Sequence, residues 1–313
     1  QLLERDYGIT GQLTALPGEH DANLRLTGNE CSWLVKVGTT DSDRDLIDMQ
    51  IKALEHAARQ PRAWDLPAVV RTKSGNATVS AETTGGTRPL WVTTWVEGQL
   101  FAELPFVDAK LCRQLGQALG EFVHALEDFS HKKSTRDLKW DLRQSEWIEV
   151  HIDELDDADL RQIITDAYAG FEAIAAPLAA APSGVIHNDA NDYNILVAGT
   201  SSDRSVGLID LGDMCHTAIV GEVAIAASYA AMHLADPLVA IDQVVAGFHA
   251  SHPLSEQELT LVQPLIRTRL AVSIINASVH QRLRPDDPYV TISQTGADKL
   301  LRFLHGRDNQ VAY

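Results

Sequence analysis

The chain has 313 residues, 45% hydrophobic and 22% charged, the balance of an ordinary globular protein with room for a large core and one or two domains. Its 43 acidic and 26 basic side chains leave a formal charge of −17, which repels nucleic acid and anionic membranes; it either attracts a cationic small substrate or simply keeps the chain soluble. No uninterrupted apolar run reaches the roughly 18 residues of a membrane span, QLLERDYG is no signal peptide, and Cys31, Cys112 and Cys215 are scattered, so a cytoplasmic location without disulfides or zinc is expected.

Residues 7–37 read as strands joined by tight turns: Leu13–Leu16, Leu24–Leu26 and Ser32–Val37. The loop Pro17 to Asn23 has a single glycine and two acids. It is either an ordinary hairpin turn or a weak phosphate cover in which Asn23, His20 and backbone amides make the contacts. In the third strand, alternation puts Lys36 on the face of Leu34, opposite Trp33, Val35 and Val37. Such a lysine edges a sheet or points into a cleft; the motifs downstream favour the cleft, where it would hold the α- and β-phosphates of a nucleotide.

Ile47, Ile51, Leu54 and Ala58 mark a helix over Asp45–Arg59, with Gln50 and Glu55 beside the apolar face. A strand lysine facing a cleft calls for an acid on this helix. By order Gln50 is the closer counterpart, so a hydrogen bond replaces the ion pair unless Glu55 restores it. Leu66–Val70, Ala77–Ala81 and Leu90–Thr94 read as further strands, ending in Trp95-Val96-Glu97-Gly98. That segment is either a hinge whose backbone pairs with a nucleotide base or a buried strand running into a loop. It divides a nucleotide-binding unit, 1–95, from a catalytic and substrate-binding unit, 96–313.

An acid-capped amphipathic helix is expected over Asp108–Asp128, then an irregular charged stretch from Ser130 to Arg143 and a helical region over Ser145–Leu178. Gly184 opens a strand into VIHNDANDYNILVAGTSSDRSVGLIDLGD, residues 185–213. His187, Asp189 and Asn194 stand at the H-x-D-x-x-x-x-N spacing of a kinase catalytic loop, and Asp210-Leu211-Gly212 is similar to the kinase D-F-G. The turn formers of 199–205 make the flanking runs a hairpin with Asn194 and Asp210 near its open end. Phosphoryl transfer needs a positioned hydroxyl and magnesium-borne charge neutralisation, so a free Asp189 carboxylate suits a proton acceptor and the oxygens of Asn194 and Asp210 suit magnesium. A lone H-x-D is usually a surface turn. An EF-hand fails, because Asn194 and Thr200 occupy its glycine and glutamate positions, and no further His or Cys stands at zinc spacing.

Helices are expected over Glu222–Leu234, Leu238–His249, Glu256–Leu283, bent or split at Pro264, and Gly296–Leu304. In the third, Arg269, Ser273, Asn276 and His280 form a polar stripe that is either solvated surface or the wall of a substrate pocket, where arginine would match a carboxylate. Arg282, Arg284 and Tyr289 follow it.

IHNDANDYNILV, followed by GLIDLGD and a helix-rich C-terminal part, resembles the aminoglycoside phosphotransferase and choline kinase family of small-molecule kinases. LPGEHDANLRL and WLVKV extend the resemblance over nearly the whole chain, and the first of these, with HNDANDYN and IDLGDMCHT, is most similar to the hydroxylysine kinase branch. The resemblance implies an α+β, two-lobed protein-kinase-like fold, with a small antiparallel β-sheet lobe and a larger, mainly helical lobe. It implies ATP or GTP with Mg2+ and transfer of the γ-phosphate to a hydroxyl of a small cationic or zwitterionic, amine-bearing acceptor. By motif, Asp189 is the base, His187 braces the loop, Asn194 and Asp210 bind magnesium and Lys36 holds phosphates. Asp213 has no D-F-G counterpart and either orients the metal site or meets the substrate amine. Some bacterial relatives of the branch are fused to a pyridoxal-phosphate domain of aminotransferase fold, which fits a chain whose first residue is Gln1. An antibiotic kinase would share the mechanism and differ in its pocket. A non-catalytic kinase-fold module is the rival from another class, although every catalytic residue type is present.

Overall fold

The alternating apolar segments of the first hundred residues build an antiparallel sheet. In the computed structural model, which describes residues 1–17, 21–200, 203–283 and 294–311, β1 (Gln12–Leu16), β2 (Ala22–Thr27) and β3 (Ser32–Val37) form a meander. After α1 (Arg44–Ala57) come β4 (Val69–Val70), β5 (Thr78–Thr83) and β6 (Gly86–Thr94), with strand order β1-β2-β3-β6-β4 and β5 also on β6. Tyr7, Leu26, Val35, Leu90 and Val92 form the small core of this sheet. His20, Arg284 and Tyr289 lie outside the described residues.

The rest is mainly helical: β7 (Gln99–Leu100), α2 (Ala109–Ala125), α3 (Glu149–Ile152), α4 (Ala158–Ala180), β8 (Ser183–Ile186), β9 (Ile195–Ala198), β10 (Ser205–Leu208), β11 (Cys215–Ala218), α5 (Val220–Ala231), α6 (Pro237–Ser251), α7 (Glu256–Leu283) and α8 (Gln294–Val311). Asp43, Asp108, Asp157 and Asp236 cap α1, α2, α4 and α6 by accepting first-turn N–H groups, so the starts of these helices are written in sequence. Every residue of α5 is buried, which makes it the central helix. Glycines let α2 and α6 approach closely: a Cβ on Gly116 would lie 2.0 Å from the Val244 carbonyl oxygen, and one on Gly247 2.0 Å from that of Arg113. The architecture is the two-lobed, kinase-like α+β fold. Across the lobes, Lys133, Lys132 and His131 meet Asp43, Asp45 and Asp48 of α1 and its cap at 2.6, 2.6 and 3.1 Å.

Several elements depart from the sequence expectation. Before turning helical, the chain after Asp213 forms β11, which pairs with β8, and Gln99–Leu100 adds to β9; strands of two to four residues are too short to show alternation. The helical stretch after Ser145 is broken: a 3-10 segment Leu142–Ile148 leads into α3, and α4 restarts at the Asp157 cap. Pro264 stays inside a continuous α7, where the burial of nearly all of residues 265–277 just past it outweighs one lost backbone hydrogen bond. Among the described helices α4 has the length and apolar composition of a membrane span, hidden from a count of uninterrupted residues by Arg161, Asp166 and Glu172; in this fold it packs Ile163, Ile164 and Phe171 into the core beside α7.

Candidate active site

The loop between β8 and β9 is held by side chains that reach its backbone. His187, fully buried after β8, donates through Nε2 to the Ile209 carbonyl at 2.9 Å and accepts the Asp189 N–H at Nδ1 at 3.3 Å, so one ring ties the backbone of Asp189 to the residue just before Asp210. The Asn188 backbone takes φ +65°, a left-handed turn that delivers its N–H to Glu222 Oε2 at 3.0 Å. Past β9 and β10, Ile209 N–H donates to the Asn194 carbonyl at 3.0 Å, so the hairpin register brings Asn194 beside Asp210. Asp210, at φ +59°, caps the turn Leu211–Asp213 by accepting from Gly212 N–H.

The Asp189 carboxylate is not free, contrary to expectation. Its Oδ1 accepts from Arg269 Nη2 at 2.9 Å, and its Oδ2 accepts from Asn191 Nδ2 at 3.0 Å and Asn194 Nδ2 at 2.8 Å. The reason lies in α7: Arg269 is 1% exposed, sits 4.6 Å from the Trp140 ring centre and 5.4 Å from that of Tyr229, and has Asp189 as its anion. Burial pushes the Asp189 carboxyl up to about 7, with Asp213 and Asp210 adding repulsion, while Arg269 and Asn191 pull the other way. Asn194 turns its amide hydrogens to Asp189, so its carbonyl oxygen is the atom left for a cation.

Lys36 reaches this centre from β3. Its Nζ is 3.0 Å from Asp210 Oδ1 and 5.6 Å from the Trp91 ring centre. Burial opposes ionisation of Asp210, but Lys36, with help from His187 and Gly212, wins and holds the carboxyl below its usual range. Asn23 stands directly opposite Lys36 across the β2–β3 pair, its buried Oδ1 without a hydrogen bond among the described residues. Asp213 joins the acidic wall; burial, with Asp210 beside it, raises its carboxyl although Arg136, Arg269 and His187 pull the other way.

The family profile of the phosphotransferase enzyme family matches residues 12–259. The chain belongs to that family. With it comes the enzyme class, a small-molecule kinase with a hydroxyl acceptor. Relatives of this phosphotransferase include the hydroxylysine kinases of Mus musculus, 26% identical over 91% of this chain and 82% of the relative, and of Danio rerio, 23% identical over 98% and 91%. Among solved structures, a microcompartment-associated aminopropanol kinase shares the fold at TM-score 0.74 with 17% identity, covering 98% of this chain and 96% of that one.

In this phosphotransferase the other expected residues divide. Gln50 is buried on α1, and among the described residues no hydrogen bond joins it to Lys36, whose ammonium meets Asp210. Glu55, the alternative partner, lies about 140° further round the helix and pairs with Arg71. Trp95 lies under the Arg25 guanidinium at 4.3 Å, Glu97 is 4.0 Å from the same group, and Val96 packs against Gly207 of β10. At Gly98, φ +144° and the Val197 backbone 3.0 Å from where a Cβ would stand demand glycine. Asn276 and His280 meet Lys139, and Arg282 is taken by Glu154.

Several functional side chains escaped the sequence reading. Arg136 donates to the Gly212 and Met214 carbonyls at 2.6 and 3.1 Å and so grips the turn after Asp210; it lies in the irregular stretch 130–143, which has no period to mark it. Asn191 braces Asp189 and also accepts from Tyr193 and Asn194 N–H, and its place two residues after Asp189 was its only signal. Glu222 was expected only as the start of a helix. Burial raises its carboxyl above the ordinary 4.5, so in the folded state it binds a proton more tightly than in the unfolded one. Stability contributed by this group is therefore full at low pH and is lost as pH climbs through its folded value. Glu222→Gln, which keeps an acceptor for Asn188, should remove that slope in urea melts run across pH, while Glu222→Ala should cost about 1–3 kcal/mol by stranding the Asn188 N–H.

Proposed function

We propose that this phosphotransferase moves the γ-phosphoryl group of ATP or GTP to a hydroxyl of a small amine-bearing molecule, with hydroxylysine or a related hydroxylated amino acid or amino alcohol as acceptor. The observation that carries it is the meeting of Asp189, Asn194, Asp210 and Lys36 from three separate segments, with Arg269 fixing Asp189 and His187 fixing the residue before Asp210. Asp189 accepts the proton of the acceptor hydroxyl on the lone pairs that Arg269 and the two asparagines leave. Lys36 takes the α- and β-phosphates, and Asn23 lies across from it at the phosphate end. Trp95, Val96 and Glu97 form the base-binding hinge, which puts the lobe boundary at residues 95 and 96. Asp213, beside Asp189 and Asp210, meets the acceptor ammonium.

The donor set fits magnesium: an amide oxygen of Asn194 left over by its own hydrogen bonds and the carboxylate of Asp210, which Lys36 keeps ionised, are hard ligands. Asn194 and Asp210 would hold the ion, which when bound supplies neutralisation of triphosphate charge. The hydroxylysine kinases among the relatives supply the acceptor class. Incubation with ATP or GTP and magnesium over a panel of 5-hydroxylysine, ethanolamine and aminoglycosides should give one phosphorylated product class from the hydroxylated amino acid or amino alcohol. Phosphorylation of the aminoglycosides alone would overturn the acceptor assignment, and no transfer to any hydroxyl would overturn the reading.

A further inference from the structure

Beyond Arg269 the stripe of α7 continues through Ser273 to Asn276 and His280, and the last two meet a cation from outside the helix. Lys139 Nζ donates to Asn276 Oδ1 at 2.8 Å and to His280 Nε2 at 3.2 Å. Its backbone is pinned, because the Lys139 carbonyl accepts the Trp147 indole N–H at 3.0 Å. The ammonium lies 5.5 Å from the ring centre of Trp140, the same residue that packs on Arg269, so this cluster adjoins the catalytic centre.

Donors are in surplus here. An ammonium has three hydrogens, and two are used. Asn276 has turned its carbonyl to Lys139, which leaves both amide hydrogens; His280 accepts at Nε2 and keeps an N–H at Nδ1. Among the described residues no carboxylate pairs with Lys139, in a chain of net charge −17. Arg269, the cation expected to grip a carboxylate, is buried on Asp189 and closed over by two rings. One positive charge, surplus neutral donors and no internal anion fit a singly charged planar anion at the outer end of the stripe.

We propose that Lys139, Asn276 and His280 hold the carboxylate of the acceptor, so that this enzyme selects hydroxylated amino acids over the matching amides and amino alcohols. The inference rests on the proposed function for the place of the hydroxyl at Asp189. Seven residues of α7 separate Arg269 from Asn276, about 10 Å of helix, which suits an acceptor with several carbons between hydroxyl and carboxylate.

Calorimetric titration of the full chain with 5-hydroxylysine and with its α-carboxamide tests this by binding rather than turnover. The wild type should bind the acid about 10-fold or more tightly than the amide, Lys139→Met should bring that ratio to within about twofold, and Lys139→Arg should keep most of it. A ratio in Lys139→Met equal to that of the wild type, or a wild type that does not prefer the acid, overturns the proposal. Acid-selective binding without phosphate transfer would keep the carboxylate site and sink the kinase reading. Transfer to acid and amide alike, with equal affinity, would do the reverse.

Discussion

Asp189→Asn should lower kcat by about 10²- to 10⁴-fold, the usual contribution of a positioned general base, while ATP with magnesium still raises the melting temperature. The geometry explains why the loss falls on the chemical step. Asparagine offers one oxygen where aspartate offers two, and the donors around residue 189 come from both sides, Arg269 on one and Asn191 with Asn194 on the other. One set must face an amide N–H, and the side chain loses the basicity that burial and the neighbouring acids give it. Lys36 and Asp210 meet each other directly, so the nucleotide anchors proposed for them do not depend on residue 189. Steady-state rates beside thermal melts with and without nucleotide check both halves. Loss of nucleotide stabilisation together with rate would move the residue's role from base to scaffold.

Lys36→Met should raise the KM for nucleotide at least about 10-fold and lower kcat by about 10²-fold, the scale of removing one preorganised charged donor. Lys36 is 7% exposed and packs near Trp91, so methionine fills most of its space and the sheet should survive. Asp210 is the group that feels the change. Its carboxyl is held down chiefly by Lys36 against burial, and without that ammonium it binds protons more readily. The sign follows: activity of the variant should fall off at a higher pH than that of the wild type as the solution is acidified, because a protonated Asp210 is a poor cation ligand. Rates measured across pH with nucleotide varied give KM, kcat and this limb together, and unchanged nucleotide KM would contradict the assignment of Lys36 to phosphate.

The parts of the molecule legible in the sequence are those built from neighbours along the chain. Ser32–Val37 alternates and is β3; β9 and β10 pair as the expected hairpin; Asp108 marks the start of α2. The loop from His187 to Asn194 carries its chemistry at fixed spacing, because the hydrogen bonds made within it, Asp189 to His187 and Asn191 and Asn194 to Asp189, run between residues at most five apart. Contacts made across the fold left no such trace. Arg269 lies 80 residues from Asp189, and its periodicity on α7 was equally that of a solvated stripe. Arg136 and Lys139 sit in a segment without regular structure, held by Trp147, Gln144 and β11. Helical periodicity puts Glu55 and Gln50 on different sides of α1, but only the fold shows that Arg71 stands beside Glu55.

The central claim is that this site places a phosphoryl group on an acceptor hydroxyl through Asp189. Phosphorus NMR of the product formed from 5-hydroxylysine and ATP with magnesium tests it most directly, since a phosphate ester on the hydroxyl and a phosphoramidate on an amine give different couplings and shifts. The ester should accumulate with the wild type and be formed at least about 10²-fold more slowly by Asp189→Asn. An N-phosphorylated product, or ester formed at the same rate by both proteins, would contradict it.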